Sequence, residues 1–384
     1  MSHILSKLLA SIVIAAPCTD LIAAPQFLYL DAAYLQDIYT GPLIGGPGMA
    51  WTSSGNLLTR DGSIIREYSQ TANSTYLGTS IHSTISAHAI AGLGFNLSYG
   101  MVNGHDGYIY ATTGTGLQRI NPATWTVTTP GVDLPGSSVP SGQAWGVTVL
   151  RDGRIVYVAG PNTNLVYVFN PISNTNALIY TATNSFSSPV LIDDIEASPT
   201  GEIALAIVGS NEIRIISSTG TLVSTVTTLH YPDGLAFGWG SGVFKLFSND
   251  NQGYITEYDF NAGYTSLVSS LTIASGGSYG DLAAVGPDCS LYVSQFYNPI
   301  GPARGSTFGT NWTAGTNNEP SIVRISSRDG SCAFSPSGGI VAEPSGVLLG
   351  STALALLFAF RLGSATRRHS AKLLVARTMA FREA

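Results

Sequence analysis

The chain has 384 residues, of which 44% are hydrophobic, 10% aromatic and only 10% charged, where an ordinary soluble domain carries about 25% charged residues. The deficit argues against a protein built on solvated amphipathic helices, and the apolar content argues against a long disordered chain. Residues 25–360 hold ten basic and twenty-one acidic side chains, a net charge of about −11, which repels phosphate backbones and argues against nucleic acid as a partner.

From the N-terminus, residues 1–24 read as a secretory signal. Lys7 supplies the positive start, Leu8 to Ala16 the apolar stretch, and Ile22-Ala23-Ala24 a small-residue cleavage site. Next comes a strand, Gln26 to Asp31. Beyond it the chain repeats itself. Short apolar openings occur at Gly48-Met49-Ala50-Trp51, Gly100-Met101-Val102, Gly146-Val147-Thr148, Asp194-Ile195-Glu196-Ala197, Gly234-Leu235-Ala236-Phe237 and Asp281-Leu282-Ala283-Ala284. Their first apolar residues fall 40 to 52 residues apart, a period that signals an array of supersecondary units.

Strands are legible inside the units. Tyr108–Thr112 and Gly116–Ile120 belong to the second, Ile155–Val158 and Leu165–Phe169 to the third, Glu202–Ala206 and Ile213–Ile216 to the fourth, and Leu291–Ser294 and Ile322–Ile325 to the last. Asn121-Pro122 and Asn170-Pro171 stop pairing. No stretch of the body carries a helical period. Four-stranded units of this length, repeated radially, predict an all-β fold, a six-bladed β-propeller over residues 25–338. The last unit lacks a fourth strand, so the Gln26–Asp31 strand is expected to complete it and close the ring. An open β-solenoid, or a seven-bladed ring with residues 27–47 as a degenerate blade, fits the same pattern.

The opening Tyr231-Pro232-Asp233-Gly234-Leu235 resembles the blade openings of the six-bladed NHL, SMP-30/gluconolactonase and streptogramin-lyase-like superfamily. Gly286-Pro287-Asp288-Cys289-Ser290-Leu291-Tyr292-Val293 and Asp329-Gly330-Ser331-Cys332 resemble its final blade. In a propeller the residues just before each inner strand ring the mouth of the central channel. Here they are Pro47, Tyr99, Trp145, Asp193, Asp233 and Gly280, with Asp194 and Asp281 adjoining. One side of the mouth is therefore expected to be acidic and the other aromatic. Clustered carboxylates call for a cation or for protons, and oxygen ligands suit Ca²⁺ or Mg²⁺. Asp193, Asp194, Asp233 and Asp281 are the candidate ligands. The resemblance implies such an ion at the mouth, with Asp233 on the family's aspartate, although the glutamate expected in the first blade is replaced by Gly46-Pro47-Gly48. It also implies that His230 could act as a general base. Tyr99 and Trp145 could stack on a sugar ring. His105-Asp106-Gly107 reads as a hairpin turn on the opposite face.

Of three cysteines, Cys18 leaves with the signal, so Cys289 and Cys332 are expected to pair in an oxidising compartment. The segment Tyr297–Glu319, rich in Gly and Pro, interrupts the last unit and is a second candidate for partner binding. The C-terminus runs from Glu343-Pro344 through an apolar stretch, Val347 to Phe360, to Arg361 and the basic pair Arg367-Arg368. This three-part tail, over residues 339–369, resembles the PEP-CTERM sorting signal of Gram-negative bacteria, with Ala342 in place of its first proline and a basic tail, residues 370–384, beyond it. The resemblance implies an exosortase-type partner, a transient anchor through a C-terminal apolar helix, and delivery to the cell surface or extracellular matrix. A plain membrane anchor is the alternative. The expected protein is a monomeric exported binding module for a polysaccharide or protein. The alternative is a divalent-metal-dependent lactonase- or lyase-like enzyme with its site at the mouth.

Overall fold

Apolar residues run unbroken through the middle strands, and a run of that kind must be covered on both faces. In the computed structural model, Ile155–Ala159 and Ile203–Ile207 are buried at every position. The structure describes residues 27, 29–40, 48–76, 79–93, 100–113, 116–128, 145–160, 163–208, 210–238, 244–277, 280–295 and 321–335. The signal segment, Tyr99, all of Tyr297–Glu319, and the tail with Glu343, Pro344, Arg367 and Arg368 lie outside them. Among the described residues no helix is long and apolar enough to cross a membrane.

The described residues form six antiparallel four-strand meanders, numbered here in chain order. Their first strands are Met49–Trp51, Met101–Asn103, Val147–Val149, Ile192–Ala197, Pro232–Gly238 and Gly280–Val285. All six sequence anchors fall inside these strands. Each first strand packs beside that of the next sheet, from first to sixth. Six buried apolar clusters fill the spaces between neighbouring sheets. One, built on Tyr39, Met49, Leu57, Tyr68, Tyr292 and Ile322, joins the sixth sheet back to the first. The core is thus a set of sandwich layers rather than one central mass, which accounts for the scarcity of charge.

First strands that approach this closely leave no space for side chains where they touch. A Cβ on Gly234 would lie 2.2 Å from the Asp281 carbonyl oxygen, and one on Gly146 would lie 2.7 Å from the Ile195 nitrogen. Gly234→Ala therefore drives backbone from backbone, and we expect a loss of roughly 2–3 kcal/mol in denaturant titration.

The closing strand is not the one the sequence suggested. Tyr29–Leu30 adds to the edge of the fifth sheet, at Ala274 and Ser275. Tyr34–Thr40 completes the sixth, pairing along Ser321–Ser327. Charge fixes this register: Asp37 and Arg324 are direct cross-strand partners and form an ion pair of 2.6 Å. Arg328 also holds the carbonyls of Ala32 and Tyr34. The same strand then pairs in parallel with Thr79–Ala89 of the first sheet, through Ile38 with Ile81, Tyr39 with His82, and Thr40 with Ser83.

Cys289 and Cys332 are joined, linking the first turn of the sixth sheet to the segment after its third strand, 43 residues on. A loop of that length is worth about 4 kcal/mol in lost unfolded-state entropy. Reduction is expected to lower the unfolding free energy by up to that amount, as read by guanidinium titration with and without dithiothreitol.

Candidate functional site: an acidic cluster on three bulges

The first strands of the fourth, fifth and sixth sheets each begin with an irregularity. The pairing slips between Ile192 and Ile195, between Pro232 and Gly234, and between Gly280 and Ala283. A bulge bends its strand and re-aims the side chain it carries. The residues inserted are Asp193 and Asp194, Asp233, and Asp281 with Leu282. The first strands of the first three sheets pair without a slip.

These bulges bring Asp193, Asp233 and Asp281 together, with one carboxylate oxygen from each within 4.8 Å of the others. Asp233 is 4% exposed, whereas Asp193 and Asp281 are half-buried. None of the ion pairs among the described residues involves them. Burial pushes all three carboxyls above the usual carboxylate range, and for Asp233 and Asp281 the charge of Asp193 adds to it. A hydrogen bond between Asp233 and Asp193 favours the charged form of Asp193 and the protonated form of Asp233. Without a cation, Asp233 is the member of the pair that favours holding a proton.

The second aspartate of the fourth-sheet bulge does something different. Asp194, 4% exposed, accepts the Leu235 amide at 2.8 Å. Burial pushes it up to about 7, while the amides of Leu235, Ile195 and Ala283 favour its charged form. It ties three first strands to one another and is not a member of the cluster. At a bulge, consecutive residues no longer alternate regularly, so sequence position alone cannot separate Asp193 from Asp194.

The other candidates are not members of the three-carboxylate cluster. His230 is half-buried; its ring stacks on Tyr254 at 4.0 Å and its Nδ1 lies 2.5 Å from Gln252 Oε1. None of these contacts is with an acidic residue. Trp145 precedes the first strand of the third sheet, half-buried, and its carbonyl accepts the Thr112 hydroxyl at 2.6 Å. His105 to Gly107 form the turn after Met101–Asn103, where Asp106 accepts the Tyr110 hydroxyl at 2.7 Å.

Sequence reasoning also missed two buried polar residues, of which Asn249 holds the backbone of the cluster. Asn249, 1% exposed, donates to the carbonyls of Asp281 (2.9 Å) and Ser294 (3.1 Å) and accepts from Gln295 Nε2. Beside it, Asp250 accepts the hydroxyls of Ser248 and Thr256, and burial pushes it up to about 7. Their signal is a polar Ser248-Asn249-Asp250 run ending an otherwise apolar strand.

A divalent cation fits what is present. Oxygen atoms bound to one Ca²⁺ at 2.3–2.6 Å lie up to about 5 Å apart, and the three aspartates meet that limit. Oδ1 of Asp233 is buried with no hydrogen-bond partner, as an unused ligand atom would be. The donor set is oxygen only, which suits Ca²⁺ or Mg²⁺ and not zinc.

No protein-family model matches the chain, and no curated protein matches its sequence. Its fold is similar to solved structures. A luciferin-regenerating enzyme aligns with a TM-score of 0.52 and 12% identity, over 80% of this chain and 98% of its own. A Thermus thermophilus protein described as a glucose dehydrogenase-type oxidoreductase aligns with a TM-score of 0.51 and 13% identity, over 76% and 100%. A gluconolactonase from Xanthomonas campestris gives 0.46 and 15%, over 80% and 93%. The first two alignments agree with the meanders above in showing an all-β, propeller-like architecture.

Proposed function

We propose that the protein is an exported six-bladed β-propeller that acts as a binding module. Asp193, Asp233 and Asp281 hold Ca²⁺ or Mg²⁺ at the mouth, and the ion with its surroundings engages an extracellular polysaccharide or protein. The observation that carries this reading is the convergence of three bulged carboxylates, one with an orphaned buried oxygen. The six meanders and the six clusters between them support the blade count. Calorimetric titration of the chelator-stripped protein with CaCl₂ and MgCl₂ tests it. Binding of about one equivalent, together with cation-dependent retention on a glycan or protein array, is the expected result. No heat at millimolar cation overturns it.

Export rests on the N-terminal segment and the PEP-CTERM-like tail. An exosortase-type enzyme would act at Glu343-Pro344, with Arg367-Arg368 held on the cytoplasmic side. Intact-mass measurement of the mature protein should show loss of residues 1–24. Retention of Met1 would overturn the signal assignment.

A second reading, a lactonase- or lyase-like enzyme, draws on the pairing of Asp193 with Asp233, in which Asp233 favours the protonated and Asp193 the charged form. Such a pair presents an acid and a base side by side. Turnover of a lactone by the wild type, absent in Asp233→Asn, would favour it over pure binding.

A further inference from the structure

The ring is closed at one place by a parallel step of three residue pairs, Ile38 with Ile81, Tyr39 with His82, and Thr40 with Ser83. His82 sits at the centre of that step and is 3% exposed. Its ring stacks on Tyr39 at 4.3 Å and 10°. Tyr39 in turn packs on Tyr68 and Tyr292, so the imidazole belongs to the aromatic layer between the sixth and first sheets. Nδ1 lies 2.9 Å from the Ser69 carbonyl oxygen, which can only accept, so Nδ1 carries the proton. Nε2 is then a buried lone pair, and no hydrogen-bond partner reaches it. The neutral ring is accommodated there; a second N–H would have no acceptor and its charge no solvent.

We propose that His82 is a proton-operated latch on the ring. Protonation loosens the parallel step between Tyr34–Thr40 and Thr79–Ala89 before the rest of the fold gives way. The groups that face the latch are few. From Tyr34–Thr40 comes Asp37, whose charge favours protonation; from Ser321–Ser327 comes Arg324, whose charge opposes it. Arg324 is held between Asp37 and Asp288, so its charge stays close to the seam. Burial pushes the hydroxyls of Tyr39 and Tyr292 up, so both rings stay neutral. On the histidine's own strand, His88 stacks on Trp125 and lies 3.7 Å from Glu67. Burial is the largest influence on His82 and holds it below the usual histidine range. As a base with a depressed folded-state value, it leaves the seam intact above about pH 6.5 and weakens it as pH falls below. Among the described residues, no other pair of neighbouring sheets is joined by paired strands.

Hydrogen–deuterium exchange of the full chain at pH 7.5 and 5.0, corrected for intrinsic rates, tests the latch. Peptides over residues 34–40 and 79–89 should lose at least tenfold protection at pH 5.0, while residues 203–216 of the fourth sheet keep theirs. In His82→Phe, which keeps the stacked ring, and His82→Gln, which keeps a donor for Ser69, seam protection should not change between the two pH values. Unchanged wild-type seam protection at pH 5.0 overturns the proposal. So does a variant that folds at pH 7.5 and still loses the seam in acid. If neither variant folds, the wild-type contrast between seam and fourth sheet decides alone.

Discussion

Stripped of divalent ions, the protein will be more stable at pH 5 than at pH 8. Asp194 and Asp250, 4% and 1% exposed, are each pushed up to about 7 by burial. In an unfolded chain both ionise near 3.9. Between those values the folded state holds protons that the unfolded state has lost, so stability falls as pH rises. For one carboxyl with a folded value near 7, the step from pH 5 to pH 8 costs roughly 2–3 kcal/mol. The two together amount to about 5 kcal/mol, and Asp193, Asp233 and Asp281 shift in the same direction. His82 opposes them, but as a single group confined to the seam. Guanidinium titrations at the two pH values measure the difference, and equal or lower stability at pH 5 would contradict it. Added Ca²⁺ should narrow the gap from the pH 8 side, because a cation at the bulges replaces the protons the cluster otherwise needs.

Much of the scaffold could be read from the chain because its determinants are local. A glycine or aspartate ahead of a short apolar run marks every first strand, and at Gly146 and Gly234 the next strand's backbone passes where a Cβ would sit. Asn-Pro and Asp-Gly turns then mark the edges. The closing strand was misplaced because Gln26–Asp31 and Tyr34–Thr40 are both short segments rich in apolar residues ahead of the first unit. What separates them is a pairing of Asp37 with Arg324 across 287 residues, and no local pattern contains it. The site was legible only in part for a related reason. A ring of pre-strand positions put Asp193, Asp233 and Asp281 near one another, yet the bulges decide which carboxylates converge, and a bulge interrupts the two-residue period used to assign faces. Asn249 sits in a legible polar run, but its role was hidden because its contact with Gln295 joins residues 46 apart. His82 gave no signal either: its significance lies in an acceptor lone pair that nothing reaches, a property of packing alone.

Replacing Asp233 by asparagine should separate the acidic cluster's two roles, stability cost and cation site. The side chain is the most buried of the three, and its Oδ1 has no partner. In the cation-free protein its carboxyl must carry a proton or face Asp193 and Asp281 as a charge. An amide of the same shape is neutral at every pH and can donate to Asp193 as the protonated acid does. Asp233→Asn is therefore expected to raise cation-free stability at pH 8 by about 1–3 kcal/mol. It should also weaken Ca²⁺ binding by roughly 100-fold, since one of three anionic ligands is lost. Asp250→Asn is the control. Its carboxyl accepts from Ser248 and Thr256 and belongs to no cluster, so it should alter stability while leaving cation affinity within about twofold. Calorimetric titration and denaturant melts of the two variants give four numbers. If Asp233→Asn bound Ca²⁺ as the wild type does, the ion would have to sit elsewhere, and the three bulges would be architecture alone.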